Sequence, residues 1–198
     1  MRELLVATNN AGKLAEFRRL LADLPVRAVG PEEIGLELNV PEPHMSYAEN
    51  ARDKAVAFCR ASGLLTLADD SGIEVAALDW GPGPRSARWG GTASGDNAGI
   101  LLNRLEGVSD RRARMVCWLA LADPGPDGPS VRIFNGTVEG AVATERRGDG
   151  GFGYDPIFEL PTGMTTAQLA PEEKDLVSHR GRAVAAAAEA IRSLAATA

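Results

Sequence analysis

The chain has 198 residues, of which 44% are hydrophobic and 24% charged, and its formal net charge is −6 at pH 7. This length and composition predict one globular domain with its own core, and the negative charge argues against broad binding to nucleic acid or anionic lipid. The sequence shows neither an apolar stretch of membrane-spanning length nor a signal-peptide pattern. We therefore expect a cytoplasmic protein without a membrane partner.

The chain opens with a predicted strand, loop and helix. Residues 2–8 form a short apolar run typical of a buried strand, and residues 13–24 place apolar side chains on one helical face. The loop between them reads TNNAGK, from Thr8 to Lys13. Its small and amide residues let backbone amides approach an anion at a helix N-terminus, and Lys13 adds a positive charge. From these residues alone, phosphate binding and an ordinary turn both remain open.

A second helix is predicted after an irregular stretch. The strand-like VRAV at 26–29 is followed by residues 30–45, which contain three prolines and no sustained period. Residues 46–61 then place small and apolar side chains on one face, and Ser46 and Glu49 have the spacing of a capping box. These features predict a helix that begins at Ser46.

Two adjacent aspartates follow the next apolar run. The stretch LLTLADDSGIEV, residues 64–75, places Asp69 and Asp70 at the predicted carboxyl end of a strand, where open α/β sheets bind ligands. Asp-Asp-Ser-Gly is also good turn composition, so a surface turn stays open. Facing a polyphosphate-bound Mg²⁺ ion, Asp70 could ligate the metal or take a proton from water. Glu42 and Glu49 are upstream carboxylates for which surface charge is the simpler interpretation.

The second half of the chain predicts antiparallel pairing after the αβ start. Its predicted elements are a long loop at 79–97, a helix at about 95–106, strands at 113–123 and 130–140, the continuation GAVATE, a Gly-rich loop at 146–158 and a final helix capped by Ser178. This order of elements indicates an α/β protein with a mixed sheet.

Two loops carry aromatic and donor side chains suited to a flat ligand. GGFGYDPIF offers Phe152 and Tyr154 beside glycines, and SHRGRA offers His179 and Arg180 at a predicted helix start. An aromatic face with directional donors is a common way to hold a purine base. Other interpretations stay open: Phe152 could belong to the core, and His179 and Arg180 could lie at a solvated helix end.

Taken together, six segments resemble one family. TNNAGK, SYAENARDKA, LADDSG, GPGPRSARW, GGFGYDPIF and SHRGRA occur in the order and at about the spacing of the inosine triphosphate pyrophosphatase family, also called the Ham1 or RdgB family. The resemblance runs from Leu5 to about Ile191. It implies one ITPase-like α/β domain over residues 1–198, with an elongated mixed sheet flanked by helices, two lobes with a central cleft, and a homodimer.

The resemblance also implies an activity and a set of site residues. The activity is Mg²⁺-dependent hydrolysis of ITP, dITP and XTP to the monophosphate and pyrophosphate, which removes deaminated purines from the nucleotide pool. By motif position, Asp70 would be the general base and a metal ligand, with Asp69 in support. Glu42 is the candidate second ligand, although the acidic pair often seen before this element is replaced here by Pro41 and Glu42.

The implied substrate-binding residues fall into two groups. They are Thr8, Asn9, Asn10, Ala11, Gly12 and Lys13 for the triphosphate, and Ser71, Phe152, Gly153, Tyr154, Asp155, Lys174, His179 and Arg180 for the rest of the nucleotide. Phe152 would stack on the base. Donors from His179 or Arg180 would favour the 6-keto group of hypoxanthine and xanthine over the amino group of adenine.

Two other functions stay open. Maf-type nucleotide pyrophosphatases share the fold and an N-terminal Asn-Lys loop but act on other bases, and GGFGYDPIF and SHRGRA favour the purine family over them. A nucleotide-binding sensor without turnover would have no need of Asp70 as a base. Turnover with Mg²⁺ separates enzyme from sensor, and the ranking of bases separates the two enzyme families.

Overall fold

The computed structural model describes residues 1–91 and 95–196. The chain divides into two compact units, each assembled from segments that are distant in sequence. The first unit consists of Met1–Asp70, Cys117–Gly136 and Gly181–Ala198, and the second of Ser71–Val116 and Thr137–Arg180.

The fold is a mixed sheet with helices. The strands are β1 (Arg2–Val6), β2 (Val26–Val29), β3 (Leu65–Val75), β4 (Gly81–Pro82), β5 (Arg112–Asp123), β6 (Ser130–Val142) and β7 (Phe158–Glu159), and the helices are α1 (Ala11–Leu20), α2 (Tyr47–Ser62), α3 (Asn97–Arg104), α4 (Pro171–Val177) and α5 (His179–Ala196). The strand order is β2-β1-β3-β5-β6-β7, and β4 pairs with β3. β1 is parallel to β2 and β3, whereas β4 and β7 run antiparallel to β3 and β6. The predicted α/β class with a mixed sheet is confirmed.

The core of the first unit lies on both faces of β1. Leu4 belongs to one apolar cluster with Phe17 of α1 and Val184 of α5. Its neighbour Leu5 belongs to another cluster with Phe58 of α2. Because successive side chains of a strand point to opposite faces, β1 is covered by helices on both sides, which explains its continuous apolar sequence.

The second unit has a core of its own. Ile73 and Val75, at the end of β3, belong to one buried cluster with Leu101 of α3 and Phe158 of β7.

Among the helices of the described ranges 1–91 and 95–196, none has the length and hydropathy needed to cross a membrane.

The first helix begins earlier and ends earlier than the predicted 13–24. Asn10 caps it, because its side-chain oxygen accepts a hydrogen bond from the backbone N–H of Lys13. Hydrogen-bonded turns replace the helix after Leu20, and the proline at position 25 cannot extend it. The TNNAGK loop therefore contributes its last residues to the first turn of α1.

The expected end of the strand before Asp69 is wrong, because β3 continues through both aspartates to Val75. Its pairing with β1 covers only Leu65–Leu67, since β1 ends at Val6. Asp69 and Asp70 thus lie beyond the carboxyl end of the neighbouring strand. The two aspartates therefore lie beside the carboxyl end of β1, and not at the end of their own strand.

The predicted helix at 46–61 and its cap are confirmed. α2 follows Ser46, whose hydroxyl accepts from the N–H of Glu49, and ends at Gly63 in the left-handed conformation. The predicted loop at 79–97 is partly ordered into β4 and a 3₁₀ turn at Gly83–Arg88. Residues 92–94 of that loop lie outside the described residues.

Two further elements differ from prediction in the second half of the chain. The first residues of GAVATE complete β6, and the antiparallel neighbour of that strand end is β7. α4 was not predicted, since seven residues rich in charge show no apolar stripe. Ser178 directly precedes α5, as predicted for its cap, and it also follows the last residue of α4, where its N–H donates to the carbonyl of Lys174.

Candidate active site

Asp70 is a buried carboxylate, only 5% exposed. Its Oδ2 accepts a hydrogen bond of 2.9 Å from Nδ2 of Asn50 on α2. Burial raises the pKa of Asp70 to about 6, and the negative charge of Glu42 adds to the rise, while the Asn50 hydrogen bond and the charges of Lys54 and Lys13 oppose it. A carboxylate with this pKa can take up a proton near neutral pH.

Two lysines surround Asp70 and the neighbouring carboxylates. Lys13 Nζ, on α1, lies 2.9 Å from Oδ2 of Asp69, and Lys54 Nζ, on α2, lies 2.5 Å from Oε1 of Glu42. Burial lowers the pKa of Lys54, but attraction by Asp69, Glu42 and Asp70 outweighs it, so the net shift is upward. We call Glu42, Asp69, Asp70, Lys13 and Lys54 the carboxylate–lysine cluster.

The TNNAGK loop is held in place by its own side chains. Thr8 Oγ1 accepts from the N–H of Asn10, Asn10 caps α1 through the N–H of Lys13, and Asn9 Nδ2 donates to the carbonyl of Leu38. The two other predicted loop residues, Ala11 and Gly12, open α1. The loop thus places the first turn of α1 and Lys13 beside the carboxylates.

A pocket of about 330 Å³ lies against the same loop and is lined by Thr8 to Ala11 together with residues near the end of β2. Glu32 and Glu33 form part of its wall, and the guanidinium of Arg18 is already paired with Glu33. Acidic walls disfavour a triphosphate.

The second unit brings an aromatic ring and two cations together. Lys174 Nζ lies 5.3 Å, and the guanidinium carbon of Arg180 5.5 Å, from the centre of the Phe152 ring. Nη2 of Arg180 also donates to Oγ of Ser71 at 3.2 Å. Cations at these distances are attracted by the quadrupole of an aromatic ring. Together with the hydrogen bond to Ser71, these contacts join the side chains of Phe152, Lys174, Arg180 and Ser71 into one group.

The buried carboxylate of Asp155 accepts hydrogen bonds from the glycine-rich loop and from two residues beyond it. Its Oδ2 accepts from the backbone N–H of Phe152 at 2.8 Å and from Lys174 Nζ at 2.6 Å, and its Oδ1 accepts from Oγ1 of Thr166 at 2.8 Å. Both Asp155 and Lys174 are almost fully buried. A Cβ on Gly151, whose φ is +69°, would lie 2.1 Å from Asp155 Oδ2, so only glycine fits there.

Other predicted residues of the second unit lie in different environments. Tyr154 belongs to the apolar core, where burial raises its pKa and its hydroxyl donates to the carbonyl of Ser86 at 2.8 Å, which favours a structural role. Gly153 is exposed with φ +61°. His179 is buried at the start of α5, next to Arg180.

Sequence reasoning missed Asn50, Lys54 and Thr166. Asn50 and Lys54 lie within the quoted SYAENARDKA segment, and their spacing of four residues places them on one face of α2. That spacing was a usable signal. Thr166 had none, because its contact with Asp155 depends on how the chain folds back after β7.

In the described residues, no group of three or more His, Cys, Asp or Glu side chains is arranged to hold a metal ion. The two carboxylates predicted as ligands, Asp70 and Glu42, are close enough for the charge of one to raise the pKa of the other.

Curated relatives match nearly the whole chain. The dITP/XTP pyrophosphatase of Nitrosomonas europaea is 47% identical over 188 residues, covering 93% of this chain and 92% of its own. That of Chromobacterium violaceum is 44% identical over 196 residues, with 98% of both chains covered.

Solved structures agree with the sequence comparison. A Ham1 protein from Coxiella burnetii matches with a TM-score of 0.83 at 38% identity over the full length of both chains. The Staphylococcus aureus Ham1 protein matches with a TM-score of 0.82 at 38% identity over 97% of this chain and 99% of its own. The sequence model of the Ham1 family matches residues 4–190. The chain belongs to the Ham1 family.

Proposed function

We propose that this protein hydrolyses dITP, XTP and ITP to the nucleoside monophosphate and pyrophosphate. Membership of a family whose relatives are named dITP/XTP pyrophosphatases supports this activity. The observation that carries the proposal is the environment of Asp70, a buried carboxylate with a pKa of about 6 beside Lys13 and Lys54. A general base works best when its pKa lies near the working pH.

The carboxylate–lysine cluster serves the phosphate end of the substrate. Water attacks the α-phosphorus, Asp70 orients the water and takes its proton, and pyrophosphate leaves. Lys13 and Lys54 offset negative charge that develops on the phosphate oxygens, in a partly buried site where such charges interact strongly. Asp69 holds Lys13 in position for this role.

Mg²⁺ is the metal that fits this donor set. Carboxylate oxygens are its preferred protein ligands, and it is usually held by one or two of them together with substrate phosphates and water. Asp70 and Glu42 would hold it, which agrees with the lack of a larger ligand group among the described residues. When bound, Mg²⁺ neutralises phosphate charge and polarises the phosphoryl group.

We assign the base end of the substrate to the second unit. The Phe152 ring would stack on the purine, and Arg180 and His179 would donate to its 6-keto oxygen. Asp155 supports this end by fixing the Phe152 backbone and the ammonium of Lys174.

The test is turnover of individual nucleotides. Purified protein with Mg²⁺ is incubated separately with dITP, XTP, ITP, GTP, ATP and dTTP, and the products are identified by ion-exchange chromatography. We expect monophosphate and pyrophosphate from the first three, little reaction of the others, and loss of turnover when EDTA removes the metal. Diphosphate and phosphate as products would overturn attack at the α-phosphorus.

Variants and substrate ranking complete the test. Asp70→Asn should lose at least about a hundredfold in kcat, within the range that general base catalysis contributes. Asp127→Asn, an exposed aspartate in the β5–β6 turn, is the matched control and should keep wild-type activity. Preferred turnover of dTTP would favour a Maf-type enzyme, and nucleotide binding without turnover would favour a sensor.

The quaternary state is implied by the family resemblance and the location by the sequence pattern of the chain, and both remain predictions. We propose a homodimer, which light scattering after size-exclusion chromatography tests. We also propose a cytoplasmic location, which fractionation of the source cells tests.

A further inference from the structure

Asn50 lies in the first turn of α2 and is 1% exposed. Its side-chain amide makes three hydrogen bonds within the first unit. Nδ2 donates to Asp70 Oδ2 at 2.9 Å and to the carbonyl of His44 at 3.0 Å, and Oδ1 accepts from the N–H of His44 at 3.0 Å. The amide therefore connects a carboxylate of the cluster to the segment that precedes α2.

The orientation of this amide follows from its partners. Turning the side chain over would point the carbonyl oxygen at two acceptors, Asp70 Oδ2 and the His44 carbonyl, and the NH₂ group at the His44 N–H. Each contact would then become repulsive in a buried site. All three hydrogen bonds form in only one of the two orientations. Asn50 Nδ2 therefore donates to Asp70.

The segment held by Asn50 also carries Glu42, two residues before His44. The His44 ring adds a contact of 2.9 Å between Nε2 and Oδ2 of Asp53, so both the backbone and the side chain of His44 are attached to α2. Lys54, one turn after Asn50 on the same helix, pairs with Glu42. α2 thus fixes the segment that carries one cluster carboxylate and directly binds the other.

We propose that Asn50 is a positioning residue for Asp70, an inference that rests on the proposed function. A buried carboxylate without this donor can rotate about its side-chain bonds, because the charge of Glu42 repels it while the charges of Lys54 and Lys13 attract it. The Asn50 N–H fixes one oxygen of Asp70 and thereby orients the carboxylate for proton transfer from water. Small errors in such geometry reduce rates by large factors.

The role differs from that of an ordinary buried hydrogen bond in one measurable way. Loss of positioning should reduce kcat while substrate binding stays nearly constant, because Lys13 and the residues of the second unit remain in place. Loss of local structure should instead weaken binding and turnover together. The ratio between the two effects therefore separates the interpretations.

The experiment compares Asn50→Leu with wild-type protein and with Ser62→Ala. Leucine has a similar volume and no hydrogen-bonding groups. Ser62 is at the other end of α2, where its hydroxyl contacts the Phe58 carbonyl and the Leu64 N–H. Its replacement therefore removes local hydrogen bonds about 18 Å along the helix axis from Asn50.

Three quantities are measured for each protein: kcat with dITP, the Kd for α,β-imido-dITP with Mg²⁺ by calorimetry, and the midpoint of thermal unfolding. The imido nitrogen blocks cleavage between the α and β phosphorus atoms, so binding is measured without reaction. For Asn50→Leu we expect kcat to fall about 10- to 100-fold with Kd within about threefold. Ser62→Ala should keep both values.

Other outcomes would overturn the inference. An Asn50→Leu protein with kcat within about threefold of wild type would show that Asp70 needs no such support. A rise in Kd as large as the fall in kcat would assign Asn50 a structural role. Asn50→Ser, whose hydroxyl is too short to replace the amide, gives the same comparison if the leucine variant does not fold. Inactive wild-type protein would overturn the proposed function and this inference together, whereas active wild type with unchanged variants overturns the inference alone.

Discussion

Nζ of Lys13 lies 2.9 Å from Oδ2 of Asp69, which joins the first turn of α1 to the strand that carries Asp70. The Asp69 side chain is 1% exposed and that of Lys13 19%. Burial of a charge destabilises the fold unless the charge is paired, so the contact with Lys13 stabilises the folded protein.

Lys13→Met should therefore reduce the free energy of unfolding by about 1–3 kcal/mol, below the range for a fully buried pair because Lys13 is partly exposed. Urea unfolding measures the change. In the double variant with Asp69→Asn, the two losses should not add, since the buried charge that Lys13 compensates is then also removed. Strictly additive losses in this double-mutant cycle would contradict the pairing.

The pKa of Asp70 predicts a stability that falls as pH rises. Because its folded-state pKa is about 6 against an ordinary 3.8, the folded protein binds the proton more tightly between these values, and stability declines through that window. Without Mg²⁺, Asp70→Asn should raise the free energy of unfolding by about 1–3 kcal/mol at pH 7.5 and by less than about 1 kcal/mol at pH 4, where the folded protein keeps the carboxyl protonated.

Denaturant unfolding at the two pH values checks this difference. Asparagine keeps an oxygen acceptor for Asn50, so the comparison isolates the charge. Asp127→Asn, on the exposed turn, should show no comparable dependence on pH. An equal effect of Asp70→Asn at both pH values would show that burial does not shift this carboxyl.

Two glycines of the GGFGYDPIF loop make a matched pair. Gly151 and Gly153 both have positive φ, but a Cβ on Gly151 meets the Asp155 carboxylate at 2.1 Å, whereas a Cβ on Gly153 meets no atom of the described chain within 4 Å. Alanine at Gly153 adds backbone strain of about 1 kcal/mol. Alanine at Gly151 adds the same strain and displaces Asp155.

We expect Gly151→Ala to be less stable than Gly153→Ala by at least about 1 kcal/mol, within the usual range for overpacking. Chemical denaturation of both variants measures the difference. Equal stabilities would mean that Asp155 can move without losing its contacts to Phe152, Lys174 and Thr166.

The sequence was informative where local patterns decide the structure. The cap at Ser46, the end of α2 at Gly63 and the position of Asp70 beyond a buried run all follow from neighbouring residues. The sequence could not show that β3 continues past Asp70, because that depends on where β1 ends. The sequence also gave no sign of α4. This seven-residue helix contains Lys174, which pairs with Asp155.

Contacts between distant segments account for the rest. Asn50 and Asp70 are twenty residues apart in sequence, and their hydrogen bond exists because α2 packs on the face of the sheet that includes Ala68. Spacing within a helix or strand can suggest which side chains share a face. It does not say which carboxylate a given amide will meet.

Arg180 should determine the choice of base. Its guanidinium carbon lies 5.5 Å from the centre of the Phe152 ring and its Nη2 donates to Ser71, and we propose that the same guanidinium donates to the 6-keto group of the base. Arg180→Ala should reduce the ratio of kcat/KM for ITP over ATP by about 10- to 100-fold, because adenine no longer places its amino group against a buried donor. The Mg²⁺ concentration at half-maximal rate should change little.

Arg182→Ala, which replaces an exposed arginine of the same helix, is the control and should keep the wild-type ratio. An unchanged ranking of nucleotides in Arg180→Ala would move base recognition to other residues.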